Sequence, residues 1–168
     1  VTVSSELGSG STFRVFLPRA AQKQLPQTEA PPKVQMPGGT ETVLVVEDEP
    51  AVRSLVRRVL ERLGYQVVEA RGAAEALAFL GDYEDRVHLL LTDLSMPGMS
   101  GLELATRVRA AMPSIRVLLT SGYSREGSEL WEGAGAELDF LEKPFGPAEL
   151  AGAVRRAIDG GTGARTVT

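Results

Sequence analysis

Five side chains in this sequence have the types and spacing to handle a phosphoryl group: Glu47, Asp48, Asp93, Ser121 and Lys143. Each stands just past a short apolar run: VLVV before Glu47, LLLT before Asp93, VLLT before Ser121 and DFLE before Lys143. Continuous runs of this length suit strands covered on both faces of a parallel sheet, and parallel strands deliver whatever follows them to one common edge. Three carboxylates on that edge repel one another unless they share a cation. Hard oxygen ligands suit Mg²⁺, which keeps several waters and binds phosphate oxygens. With its charge shielded, Asp93 could attack phosphorus, while the Lys143 ammonium and the Ser121 hydroxyl hold the phosphoryl oxygens.

Each signal also has a plain reading when taken alone. Glu47-Asp48-Glu49 would be an acidic cluster favoured by a helix dipole. Ser121 would be a turn residue, and Lys143-Pro144 an ordinary loop. His88, the single histidine, opens the strand that ends in Asp93 and reads as a structural residue. Trp131 reads equally as core filler or as part of a partner-binding face. The company the acidic pair keeps with Asp93 and Lys143 turns the balance toward chemistry.

The elements that must position these groups follow a strand-then-helix alternation from Thr42 onward. TVLVVE is the first strand of this region, and Pro50 opens a helix that Gly64 closes. On it Val52, Leu55, Val56, Val59, Leu60 and Leu63 fall on one face and the arginines on the other. QVVEA is the second strand, followed by a helix over 73–80 and a polar GDYEDR loop. The stretch HLLLTD is the third strand, and the helix from Gly101 to Ala111 stops before Pro113. IRVLLT is the fourth strand, a weakly coded helix is expected within 125–132, LDFLE is the fifth strand, and Pro147 starts the last helix. Five strands alternating with five helices imply an α/β doubly wound three-layer sandwich around a parallel sheet.

Composition limits what such a chain can do. The sequence has 168 residues, no cysteine, and a net charge of −4 from 18 basic and 22 acidic side chains. Residues 1–40 hold four of the basic and two of the acidic groups, leaving 14 against 20, or −6, for the rest. That balance argues against nucleic acid, which needs a clustered basic face. Without cysteine there is neither a disulfide framework nor a thiolate metal site, so a cytoplasmic setting is expected. No apolar run reaches the roughly 18 residues of a membrane span, so no direct membrane contact is expected.

Residues 1–18 read as two short strands, VTVSS and TFRVFLP, around a glycine-rich turn. The motif GSGSTF from Gly8 to Phe13, with the apolar strand after it, resembles the last hairpin of a histidine-kinase ATPase domain. Nothing here resembles that family's other nucleotide boxes, so ATP binding is not expected. Residues 19–41, rich in Pro, Gln and Gly, read as a linker spanning about 25 Å as a coil, and residues 159–168 as a frayed tail.

From Thr42 to Ile158 a second resemblance covers most of the chain. VVEDEP, TDLSMPGMSG, LLTSGY and FLEKPF, in that order, are similar to the four motifs of the CheY-like receiver domain of two-component signalling. The resemblance implies a flavodoxin-like fold, with strand order 2-1-3-4-5 within residues 42–158. It implies Asp93 as phospho-acceptor, Asp48 as a direct Mg²⁺ ligand, Glu47 acting mostly through bound water, and Ser95 lending its backbone carbonyl. Ser121 would bond the phosphoryl group, Lys143 would contact it, and Phe140 would be an aromatic switch, with a cis bond at Lys143-Pro144. Ser95 and Tyr123 would flank the site.

Implied partners are a histidine kinase or histidine phosphotransfer domain. Dimerisation would use the helix expected within 125–132, the fifth strand and the last helix. Whether the chain counts as an enzyme is open, since a receiver catalyses only its own phosphorylation and dephosphorylation. Placed together, the two resemblances suggest the receiver end of a hybrid sensor histidine kinase. The competing readings are a binding-only pseudo-receiver and a Mg²⁺ phosphatase. The latter would want a second acid/base carboxylate soon after Asp93, and LSMPG supplies none. Flavodoxin-like and dinucleotide-binding proteins want a glycine-rich turn where this chain has EDEP.

Overall fold

The computed structural model describes residues 1–8, 10–17, 36–83, 86–122 and 138–160, apart from the side chains of 82 and 83. Contacts divide the chain into two units, Val1–Val34 and Gln35–Thr168.

The first unit is an antiparallel hairpin of β1 (Thr2–Glu6) and β2 (Gly10–Arg14). Val3 lies opposite Phe13, and Ser5 opposite Ser11, their hydroxyls 2.8 Å apart. Gly8 and Gly10 take the positive φ values, 85° and 92°, that the turn demands. β2 starts two residues before the expected Thr12 and ends at Arg14, so Val15 to Leu17 lie beyond it. Pairing sets this limit, because Thr2 already faces Arg14 and β1 offers no further partner.

The second unit runs β3 (Thr42–Val46), α1 (Pro50–Arg62), β4 (Gln66–Ala70), α2 (Ala73–Tyr83), β5 (Leu89–Asp93) and α3 (Gly101–Ala111). β6 (Arg116–Ser121), β7 (Asp139–Glu142) and α4 (Pro147–Asp159) complete it. Its five strands are parallel in the order β4-β3-β5-β6-β7, which is the 2-1-3-4-5 arrangement. The helix expected within 125–132, together with Tyr123 and Trp131, lies outside the described residues. So do residue 18 of the expected hairpin region, residues 19–35 of the expected linker and residues 161–168 of the expected tail.

Alternation along the strands divides the core. Val43, Val45, Leu89, Leu91 and Leu118 pack with Val56 and Leu60 of α1 and with Leu150 and Val154 of α4. Leu44, Val46, Leu90 and Leu119 face the other way, onto Ala76 and Leu80 of α2 and Leu104 and Val108 of α3. The central β5 is buried along its whole length, as a strand covered on both faces must be.

Two helical expectations are corrected. Leu55 was expected on the inward face of α1 but is 57% exposed. At 100° per residue it lies roughly 120° from the middle of the buried Val56–Leu60 pair, past the edge that the sheet covers. α2 continues through Gly81 to Tyr83, where the sequence suggested a loop. A helical glycine costs only about 1 kcal/mol relative to alanine, and the buried Ala76 and Leu80 anchor the preceding turns.

The residues just before β3 are bonded to the sheet. Gly39 N–H donates to the Leu63 carbonyl at 3.2 Å and Gln66 N–H to the Glu41 carbonyl at 3.0 Å. Arg155 of α4 donates to Glu41 Oε1 at 2.9 Å and to Asp159 on its own helix. Burial pushes the Glu41 carboxyl up, but hydrogen bonds from the backbone and from Arg155 outweigh it and leave it below its ordinary value. A lowered folded value means that the stabilisation is present above the unfolded value and disappears as pH falls through the folded one. Glu41→Gln is therefore expected to cost about 1 kcal/mol at neutral pH and progressively less as pH falls through the folded value. Urea melts of both proteins over a descending pH series check this, and equal midpoints at neutral pH would contradict it.

Candidate functional site

The acidic turn is built by β3 and α1. Glu47 still belongs to the sheet edge, its N–H donating to the Ala70 carbonyl at 3.2 Å, and it is only 5% exposed. Asp48, next along, is exposed. Glu49 is extended at the helix N-cap, and Pro50 occupies the first turn, where its missing N–H costs nothing. Burial raises the Glu47 carboxyl above its ordinary value. Lys143 pulls it back, and the charge of Asp93 adds to the rise.

Asp93 ends β5 and is 8% exposed. Its backbone is tightly held. Thr92 donates its hydroxyl to the Asp93 carbonyl at 3.2 Å, and Leu94 N–H donates to the Thr120 carbonyl of β6 at 2.8 Å. Gly101, which opens α3, lies so close that a Cβ there would press into the Asp93 carbonyl. Glycine at this position lets the helix start directly against the strand end.

These elements bring the groups together. Carboxylate oxygens of Glu47, Asp48 and Asp93 all lie within 4.8 Å of one another. Lys143 Nζ sits 2.7 Å from Glu47 Oε2 and 3.3 Å from Asp93 Oδ2. Its backbone N–H donates to the Ser121 carbonyl at 2.7 Å, which ties the lysine loop to the end of β6, and the Lys143-Pro144 bond is cis. Three carboxylates against one ammonium leave two formal negative charges. Oxygen donors with that excess fit a hard divalent cation.

Ser121 is fully buried at the end of β6, one residue beyond the Thr120 that pairs with Asp93. Ser95 is exposed, two residues after Asp93. Phe140 of β7 is partly buried against the core layer beneath α2 and α3. The sequence reading missed Arg53, whose guanidinium donates to the Glu47 carbonyl at 2.6 Å, and Gly101. Arg53 carried a signal, because a cation in the opening turns of a helix opposes its dipole.

The family model for the response regulator receiver domain matches residues 43–155. The chain belongs to this family. Receivers are the phospho-accepting parts of two-component systems, bind Mg²⁺ at an acidic site, and interact with histidine kinases or phosphotransfer proteins; the acidic cluster here fits that pattern. The chain is 35% identical over 162 residues to the sensor kinase CckA of Brucella abortus, an alignment that takes in 92% of the chain and 17% of the kinase. It likewise spans less than half of other curated relatives that it matches.

Among solved structures, the receiver domain of the hybrid histidine kinase CckA is 33% identical with a TM-score of 0.59. The match covers 70% of this chain and 98% of that one. The response regulator TrrA from Thermotoga maritima, solved in complex with Mg²⁺ and BeF, is 31% identical with a TM-score of 0.60, over 70% of this chain and 99% of that one. Among the described residues of this receiver, no helix is long and apolar enough to cross a membrane.

Proposed function

We propose that this receiver takes a phosphoryl group from a phosphohistidine onto Asp93 and returns it to water, switching a protein-binding surface meanwhile. The observation that carries the reading is the meeting of Glu47, Asp48 and Asp93 with Lys143 bonded between two of them. Glu47, Asp48, Asp93 and the Ser95 carbonyl would hold Mg²⁺, which when bound neutralises the carboxylates and the charge on the phosphoryl oxygens.

The chain's own groups do the rest. An Asp93 carboxylate oxygen attacks phosphorus in line, the bond to the donor imidazole nitrogen breaks, and a mixed anhydride remains. Lys143 now spends its charge on two buried carboxylates, and an arriving phosphoryl group gives that ammonium a new acceptor. Ser121 donates its hydroxyl to another phosphoryl oxygen. Its movement vacates space into which Phe140 turns, and two packings exchange population. Water later attacks phosphorus, breaks its bond to the Asp93 oxygen, and releases phosphate.

Ser121→Ala removes one hydrogen bond to a charged oxygen, about 1.5 kcal/mol, so phosphoryl uptake should slow about tenfold. Time courses of intact mass with a small phosphodonor check this, and an unchanged rate would remove Ser121 from the chemistry.

The alignment to a sensor kinase runs over 162 residues, well beyond the receiver match at 43–155, which supports a hybrid sensor kinase as the parent protein, with residues 1–18 the end of its ATPase domain, 19–41 a linker, 42–158 the receiver and 159–168 a tail. In that setting the donor is a histidine of a kinase or of a phosphotransfer domain, and a cytoplasmic location follows. Output is onward phosphotransfer, a phosphate sink or control of the kinase. Transfer of ³²P from a purified phosphohistidine protein onto the wild-type chain but not onto Asp93→Asn tests the central step. Label that stays on the donor under all conditions would favour a binding-only pseudo-receiver.

A further inference from the structure

Arg53 breaks a local rule. It is the fourth residue of α1, whose first turn carries no acidic side chain and whose N-cap makes no side-chain hydrogen bond. A cation there works against the helix dipole. Its side chain is only 14% exposed, so it also gives up hydration, which a charge does at a cost unless it is paired. The compensation is specific. Nη1 donates to the Glu47 carbonyl at 2.6 Å and approaches the Asp48 carbonyl at 3.4 Å. Nε faces Glu69 Oε1 at 3.6 Å.

Glu69 stands on β4, the edge strand, opposite Val45 of β3. Its other oxygen pairs with Arg57 Nε at 3.0 Å, and Arg57 in turn reaches Glu61 at 3.1 Å. The guanidinium thus touches the acidic turn through main-chain oxygens alone, and a carboxylate on the neighbouring strand holds it there. Neither contact stabilises the helix. Both fix the two peptide units that carry the Glu47 and Asp48 side chains.

We propose that Arg53 is a positioning residue for cation binding: oriented by Glu69, it clamps the backbone of Glu47 and Asp48 and so sets the aim of their carboxylates. This rests on the reading of those two residues as part of the cation site. Charge alone makes the opposite forecast, which makes the inference testable by sign. Removing a positive group near the site would tighten Mg²⁺ binding by Coulomb attraction, whereas losing the clamp weakens it. Outer groups that orient ligands typically change metal affinity by 10- to 100-fold, so a net loss of about tenfold is expected for Arg53→Met.

The experiment is calorimetric titration of MgCl₂ into the metal-free full chain, with a thermal melt of every variant. Wild type, Arg53→Met, Arg53→Lys, Glu69→Gln and the double variant Arg53→Met/Glu69→Gln are compared. Weaker binding in Arg53→Met, partial recovery in Arg53→Lys, weaker binding in Glu69→Gln, and no further loss in the double variant would bear the inference out. A melting temperature that falls while the Mg²⁺ dissociation constant stays the same or tightens would overturn it and leave Arg53 a stabilising residue. If Arg53→Met does not fold, Arg53→Lys decides, because it keeps the charge and loses the guanidinium's grip on two carbonyls, and affinity equal to wild type there overturns the inference. A wild-type chain that takes up no Mg²⁺ would defeat the site reading itself, and the clamp with it.

Discussion

Asp93→Asn should abolish phosphoryl uptake and, in metal-free buffer, make the protein more stable. The two effects have one origin. In the proposed function Asp93 is the carboxylate that attacks phosphorus, and the amide of the variant has no anionic oxygen to form the mixed anhydride. In the unphosphorylated protein, however, its charge is crowded against Glu47 and Asp48 within 4.8 Å. The Glu47 carboxyl is pushed up first by burial, and the charge of Asp93 adds to that rise. Neutralising Asp93 gives up one contact to Lys143, at 3.3 Å, but keeps the shorter Lys143–Glu47 pair at 2.7 Å. One ammonium then faces two carboxylates instead of three, and a gain of about 1 kcal/mol is expected, or several degrees in melting temperature for a domain of this size. Thermal melts in EDTA check it. A less stable Asp93→Asn would mean that the ion pair outweighs the repulsion.

Lys143→Met should act in the opposite sense on stability and also slow uptake strongly. The Lys143 side chain is 22% exposed and bridges Glu47 and Asp93, whose side chains are 7% and 11% exposed. Its removal strands two buried anions, which costs about 3 kcal/mol where no cation replaces it. Added Mg²⁺ should restore much of that loss, and should bind more tightly than in wild type, because its competitor for the carboxylates is gone. Phosphoryl uptake should still fall about 100-fold, the usual effect of losing a donor aimed at charge that develops in the transition state. Urea melts with and without Mg²⁺, together with uptake rates at saturating Mg²⁺, separate the two roles. A full rate at saturating Mg²⁺ would reduce Lys143 to a structural counter-ion.

How much of this was legible in the sequence depends on what each residue had to reveal. The sheet was, because runs such as Leu89 to Leu91 have no other sensible place than a strand covered on both faces, and each such run ends in a polar residue. The glycines and prolines that punctuate the helices were equally readable: Gly64 at φ 96° and Pro50 at the start of α1 stand where their backbone chemistry requires. Leu55 misled because periodicity gives angles around a helix and not how far the covering sheet extends. Gly81 misled because its intrinsic cost is smaller than what neighbouring burial supplies. β2 was misplaced because register is a property of two strands, and a single strand's composition does not contain it.

The site shows the same division. Glu47, Asp48, Asp93 and Lys143 were visible as strand-end residues, and parallel topology alone requires them to share an edge. What that topology could not show is how the edge is held. The fit of Gly101 against the Asp93 carbonyl and the grip of Arg53 on the Glu47 and Asp48 carbonyls are contacts to main-chain atoms. Any sequence has those atoms everywhere, so no spacing of side chains announces them. Arg53 left one trace, a cation where the helix dipole disfavours it.

The most direct test of the account is the intact mass of the wild-type chain after incubation with acetyl phosphate, with Mg²⁺ and with EDTA. One phosphoryl group should be gained in Mg²⁺ and none in EDTA, and the modified residue should map to Asp93. No gain in either condition, or a gain carried by another residue, would contradict it.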